Sequence, residues 1–109
     1  MRKLLILGVL FLSCYRSGTQ PVVERLVNNQ DYYNEFHKLV EGANQSIYVC
    51  MFVANFKKGT LVEYIYQDLA SAVSRGVDVR VLLDSSYYDS SLNVENTAFA
   101  ESLTKVGVK

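Results

Sequence analysis

The 109 residues hold one histidine, one proline and two cysteines, and their eleven basic and eleven acidic side chains cancel. Each scarcity excludes something. Two cysteines, Cys14 and Cys50, make no disulfide framework. With His37 alone there is no Cys/His pair at metal-ligand spacing. A net charge of zero gives no overall electrostatic footprint for nucleic acid or an anionic membrane, though local patches stay open. Gly59 and Gly76 stand alone, so neither G-x-G-x-x-G nor a Walker pattern is present. The G-x-S-x-G elbow is missing too.

What is present is a globular composition, half apolar and one fifth charged, in a length that suits one domain. The beginning differs from the rest. Arg2 and Lys3 precede an apolar run, Leu4 to Leu12, followed by Ser13 and Cys14. A basic start, a short apolar core and a small residue describe an export signal. The run is too short for a spanning helix. Cys14 directly after Leu12-Ser13 resembles the lipidated cysteine of a bacterial lipoprotein signal, although Phe11 stands where Leu is more usual. A simple cleaved signal is the alternative. The expected location is exported, periplasmic or cell-surface, with a membrane anchor through Cys14 under the first reading. A cut before Cys14 removes Arg2 and Lys3 and leaves nine basic against eleven acidic residues, a charge of −2. Tyr15 to Pro21 reads as a polar tether. Residues 1–20 are therefore assigned to signal and tether, and 21–109 to the folded part.

In the folded part, strand and helix alternate. Val22 to Asn28 is a plausible first strand. Gln30 to Ala43 is helical, with Tyr32, Phe36, Leu39, Val40 and Ala43 on one face and Gly42 near its stop. Ser46 to Val53 is apolar on both faces, as expected of a central parallel strand covered by helices on both sides. Cys50 within it reads as a small buried hydrophobe. Thr60 and Glu63 form a T-x-x-E capping box. The helix that follows puts Leu61, Ile65, Leu69 and Ala72 on one face, and Gly76 closes it. Val77 to Leu83 alternates as the next strand and stops at Asp84. Ser85 to Asn93 reads as a polar loop. Val94 to Gly107 reads as a third helix, with Leu92, Phe99, Leu103 and Val106 roughly aligned. Val108 and Lys109 look like the start of another strand, so an incomplete domain is expected. This βαβαβα order predicts an α/β fold with a mostly parallel sheet flanked by helices.

Chemistry has few candidates. His37, beside the apolar face of its helix, reads as a boundary residue. Asp84 sits at a strand's C-terminal end, where open α/β sheets bind ligands. As a metal ligand it would begin the D-x-S-x-S site of a von Willebrand A-type adhesion module, but positions 84, 86 and 88 are Asp, Ser and Tyr. As a phosphoryl acceptor it would need an Asp at 86. The preferred reading is a carboxylate that accepts from loop amides and fixes the turn. Tyr87 and Tyr88 suit a stacking surface, a pocket lining or plain packing. Lys57 and Lys58, near the end of the Ser46–Val53 strand, suit a phosphate or a solvated loop.

The order of three segments resembles the amino-terminal part of a phospholipase D-like domain. In the first, Ala43, Ser46, Ile47 and Val49 match "A-x-x-S-I-x-V". In the second, Ala72, Arg75, Gly76, Val77, Val79 to Leu83 and Asp84 match "A-x-x-R-G-V-x-V-R-V-L-L-D". In the third, Leu103, Gly107 and Val108 match "L-x-x-x-G-V". The resemblance spans about Leu26 to Lys109. It implies a phosphodiesterase acting on nucleic acid, as a nuclease, or on phospholipid. In that family the histidine of one H-x-K-x-x-x-x-D motif attacks phosphorus. A second histidine serves as acid and base, and the lysines stabilise charge. No metal or other cofactor is implied. Two motifs must meet, so a homodimer or a second half is the implied partner.

The motif itself does not occur in these 109 residues. His37-Lys38 lacks the intervening residue, and position 44 is Asn where the spacing asks for Asp. No catalytic, cofactor-binding or metal residue can be carried over. Two alternatives therefore stand beside the enzyme: a non-catalytic remnant or scaffold of the same fold, and the metal-dependent adhesion module.

Overall fold

The computed structural model describes residues 27–109. The expected signal, the Cys14 site, the tether and most of the strand expected at Val22–Asn28 lie outside the described residues. Val27 and Asn28 themselves have no regular structure and lead into a turn.

Five elements follow: α1 (Tyr32–Gly42), β1 (Ser46–Met51), α2 (Leu61–Ser74), β2 (Asp78–Leu83) and α3 (Ser90–Lys105). The strands pair in parallel, from Ser46 opposite Asp78 to Met51 opposite Leu83. On the other side of β2, the Lys109 N–H donates to the Val79 carbonyl at 3.0 Å, and the Lys109 carbonyl accepts from the Val81 N–H at 2.9 Å. Those two bonds have the form of a parallel ladder. Val108 and Lys109, expected to begin another strand, thus lie beside β2, while the sheet of the described residues has two strands. Among the described residues, nothing pairs with the outer edge of β1.

The core is built from Val40 of α1, Ile65, Leu69 and Ala72 of α2, Val79 of β2, and Phe99 and Leu103 of α3, all buried. Ile47, Val49 and Met51 of β1 and Val81 and Leu83 of β2 pack against them. The alternate residues Tyr48, Cys50, Arg80 and Leu82 are exposed. One face of the sheet is therefore covered and the other, among the described residues, is bare. This corrects the expectation of cover on both faces, and Cys50 is exposed rather than buried. The reason is topological. β1 to β2 and β2 to Lys109 are steps in the same direction, so crossovers of one hand place α2 and α3 on the same side.

Helix boundaries bring further corrections. α1 does end at Gly42 as expected, with Ala43 beyond it extended. Leu39, expected on the buried face, is 73% exposed, and Leu61 of α2 is also exposed. The capping box at α2 is displaced by one residue. Glu63 Oε2 accepts from the Gly59 N–H at 2.6 Å, and Thr60 Oγ1 donates to the Lys57 carbonyl. α3 begins four residues before the expected Val94, because Asp89 accepts from the N–H groups of Ser91 and Leu92. The anticipated stops at Gly76 and Gly107 are found, with φ of +87° and +95°. In each, the glycine and the residue after it bond back to the last turn: Gly76 to Val73 and Val77 to Ala72; Gly107 to Thr104 and Val108 to Leu103. No helix of the described residues is long and apolar enough to cross a membrane.

Candidate functional site at the strand ends

Parallel strands deliver both their C-terminal ends to one side of the domain. Here that side carries Phe52 to Asn55 after β1 and Asp84 to Ser86 after β2. It also carries the first turns of α2 and α3, which start from those loops. What fixes the two ends to each other is Asn96 of α3, 4% exposed. Its Nδ2 donates to the Phe52 carbonyl at 2.9 Å and to the Asp84 carbonyl at 2.8 Å. Its Oδ1 accepts from the Ala54 N–H at 2.9 Å. One side chain thus satisfies three backbone groups that the ladder leaves behind where the strands separate. A turn earlier, Asn93 holds the second loop. Its Oδ1 accepts from the Ser86 N–H and its Nδ2 donates to the Ser86 carbonyl, at 2.8 and 2.7 Å.

Asp84 accepts from the Ser85 N–H at 2.8 Å. This agrees with the reading of a carboxylate that fixes the turn. It borders two open depressions. One, of about 330 Å³, runs over Cys50, Phe52 and Leu82 on the bare face. The other, of about 190 Å³, is lined by Ser85, Asn93, Asn96 and Thr97 together with Leu83 and Ala100. Ser86 Oγ accepts from the N–H groups of Tyr88 and Asp89. Between these anchors, Tyr87 and Tyr88 are 94% and 95% exposed, so neither packs against the core. Lys57 and Lys58 are exposed on the loop into α2. Phe56 in that loop is pinned on Phe99 and Tyr66, with ring centroids 5.5 and 5.0 Å away.

The Asp89 carboxyl lies below its usual value because of the Ser91 hydroxyl, then the Leu92 N–H. At the opposite end of the sheet, Asp78 is lowered by its bond to Lys109, then by Arg80. His37 lies on α1, outside the strand-end loops. Its Nδ1 stands 2.9 Å from Asp68 Oδ1 of α2 and its Nε2 stands 3.2 Å from Glu41, so it is a boundary residue that ties two helices. Beside it, Tyr33 is held above its usual 10.0 by desolvation and then by the charge of Asp68. Among the described residues, no three His, Cys, Asp or Glu side chains are grouped so as to hold a metal ion.

Sequence reasoning missed Asn93, Asn96 and Asp89. The sign was there for Asn96: an amide in phase with Leu92, Phe99 and Leu103, at spacings of four, three and four, falls inside an apolar stripe.

A family model described as "Cardiolipin synthase, PLD-like domain" matches residues 36–109, which is 74 of the 109 residues. No curated protein and no solved structure gives a match.

Proposed function

Because the chain belongs to the cardiolipin synthase, PLD-like domain family, we propose that it forms the amino-terminal scaffold of a phosphodiesterase site. The observation that carries this is the Asn96 clamp. It spends a buried amide on fixing the strand ends Phe52–Ala54 and Asp84 relative to each other, where open parallel sheets bind ligands. The substrate would be a phosphodiester, in phospholipid or nucleic acid. The attacking histidine would come from an H-x-K-x-x-x-x-D motif that these 109 residues do not contain, and its partner from a second copy or a second half. A phospho-histidine still carrying the second ester would form as the first alcohol leaves, and water would then release the phosphomonoester and free the histidine. Export and lipid anchoring at Cys14 belong to the same proposal, supported by the order of Arg2, Lys3, the apolar run and Cys14.

The second reading is a scaffold of the same fold without catalysis. The test is to express the whole reading frame that contains this sequence and follow release of nitrophenol from bis(p-nitrophenyl) phosphate with EDTA present. Turnover that survives EDTA, with phosphate trapped on histidine, supports the enzyme. No turnover under any condition leaves the scaffold. Partner binding that requires magnesium would instead revive the adhesion reading.

A further inference from the structure

We infer that Tyr87 and Tyr88 form a tip that seats the domain in the headgroup region of an anionic lipid bilayer. Two adjacent aromatic rings at 94% and 95% exposure are a costly display for a soluble surface. The loop that carries them is not loose. Ser86 is bonded through its N–H, its carbonyl and its hydroxyl, and Asp89 closes the other side as the cap of α3. The rings are therefore presented on a fixed base, which lowers the ordering cost of engaging a partner.

The neighbourhood names the partner. Phe52 and Val53, at the end of β1 on the same side of the sheet, are 68% and 44% exposed. Lys57 and Lys58 follow them. Tyrosines, exposed apolar side chains and lysines on loops at one end of the domain are the composition that settles at a membrane–water interface, with rings at the headgroup level and ammonium groups on anionic lipids. The carboxylate of Asp89 is engaged in capping, and that of Asp84 accepts from its own loop. Base stacking fits less well. The two rings meet edge to face, at 86° and 5.2 Å between centroids, so they do not offer two open faces side by side. Docking of this kind does not require the phosphodiesterase reading, because a chain that hydrolyses nothing would dock equally.

The sequence holds no tryptophan, so Tyr88→Trp in the full chain places one reporter at the tip. Vesicles of equal parts phosphatidylcholine and phosphatidylglycerol are added, with bromine on the acyl chains near the carbonyls. The expected result is a blue shift and quenching of that tryptophan. Separately, Tyr87→Ser with Tyr88→Ser weakens sedimentation with the vesicles on the order of tenfold. Lys57→Gln with Lys58→Gln weakens it on anionic vesicles only. All these positions are exposed, and matched circular dichroism checks the fold. Unchanged tryptophan emission while the chain sediments overturns the proposal, because the leader alone would then be holding the membrane. Absence of sedimentation overturns it as well. Quenching by single-stranded oligonucleotide but not by vesicles would replace it with base stacking.

Discussion

Asn96 carries more of the site's geometry than any other single residue described. Replacing it with alanine leaves the Phe52 and Asp84 carbonyls and the Ala54 N–H without their partner in a buried place. Each such group costs on the order of 1 kcal/mol or more, so Asn96→Ala should lose about 3 kcal/mol. Asn93→Ala, in a half-exposed position, should lose about 1 kcal/mol. Urea unfolding followed by circular dichroism measures both, and equal losses would refute the clamp. Asp89 makes a prediction in pH. Its folded-state pKa lies below the ordinary 3.8. Its contribution is therefore complete above that value and is lost as pH falls through the lowered one. Asp89→Asn keeps a cap and should flatten the decline of the melting temperature in acid, whereas the wild-type chain should show it. Cys50 marks a limit of reading single residues. Its apolar neighbours predict burial, but its side of the strand is decided by topology.

At the scale of elements, the sequence was most legible where chain punctuation is chemical. Gly76 and Gly107 stop their helices as expected, since only glycine takes positive φ without strain. The two are not equivalent. A Cβ at Gly76 would meet nothing within 4 Å, whereas one at Gly107 would lie 3.1 Å from Val73 Cγ1. Gly76→Ala should cost roughly 1–2 kcal/mol from backbone strain alone, and Gly107→Ala more, as read from unfolding midpoints. Arg75, matched earlier only as part of a family run, has a physical task. Its Nη2 donates to the Val40 carbonyl at 2.7 Å, adding to the Ala43 N–H that the same carbonyl accepts at the end of α1. Arg75→Leu should cost about 1 kcal/mol and speed amide exchange in α1 more than in α3. The start of α3 was not legible. A run of serines, tyrosines and aspartate before Leu92 has the composition of a loop, and only the Asp89 cap turns its second half into a helix. The same holds for Leu39 and Leu61, which keep helical phase but fall at the edge of the covered area.

For the whole molecule, the α/β class and the parallel sheet follow from alternation and from the Arg75–Asp84 run, and the family match at residues 36–109 agrees. The placement of all three helices on one face does not follow from periodicity, because apolar alternation says which residues pair off to a side and not which side receives a helix. The export signal proposed for residues 1–20 makes the remaining prediction at this scale. If Cys14 is lipidated, labelled palmitate should be incorporated into the chain and Cys14→Ser should abolish it. Unchanged labelling would reassign the anchor.

The outer edge of β1 has one more consequence. β1, Ser46–Met51, has no charge or proline, nor do Phe52 and Val53 after it, and among the described residues its far side is unpaired. Such an edge is a template for intermolecular strand addition. The chain on its own should therefore form thioflavin-binding fibres on storage at high concentration, growing from this strand. Tyr48→Lys, a charge on the exposed side of the strand, should delay that growth while leaving the fold in place.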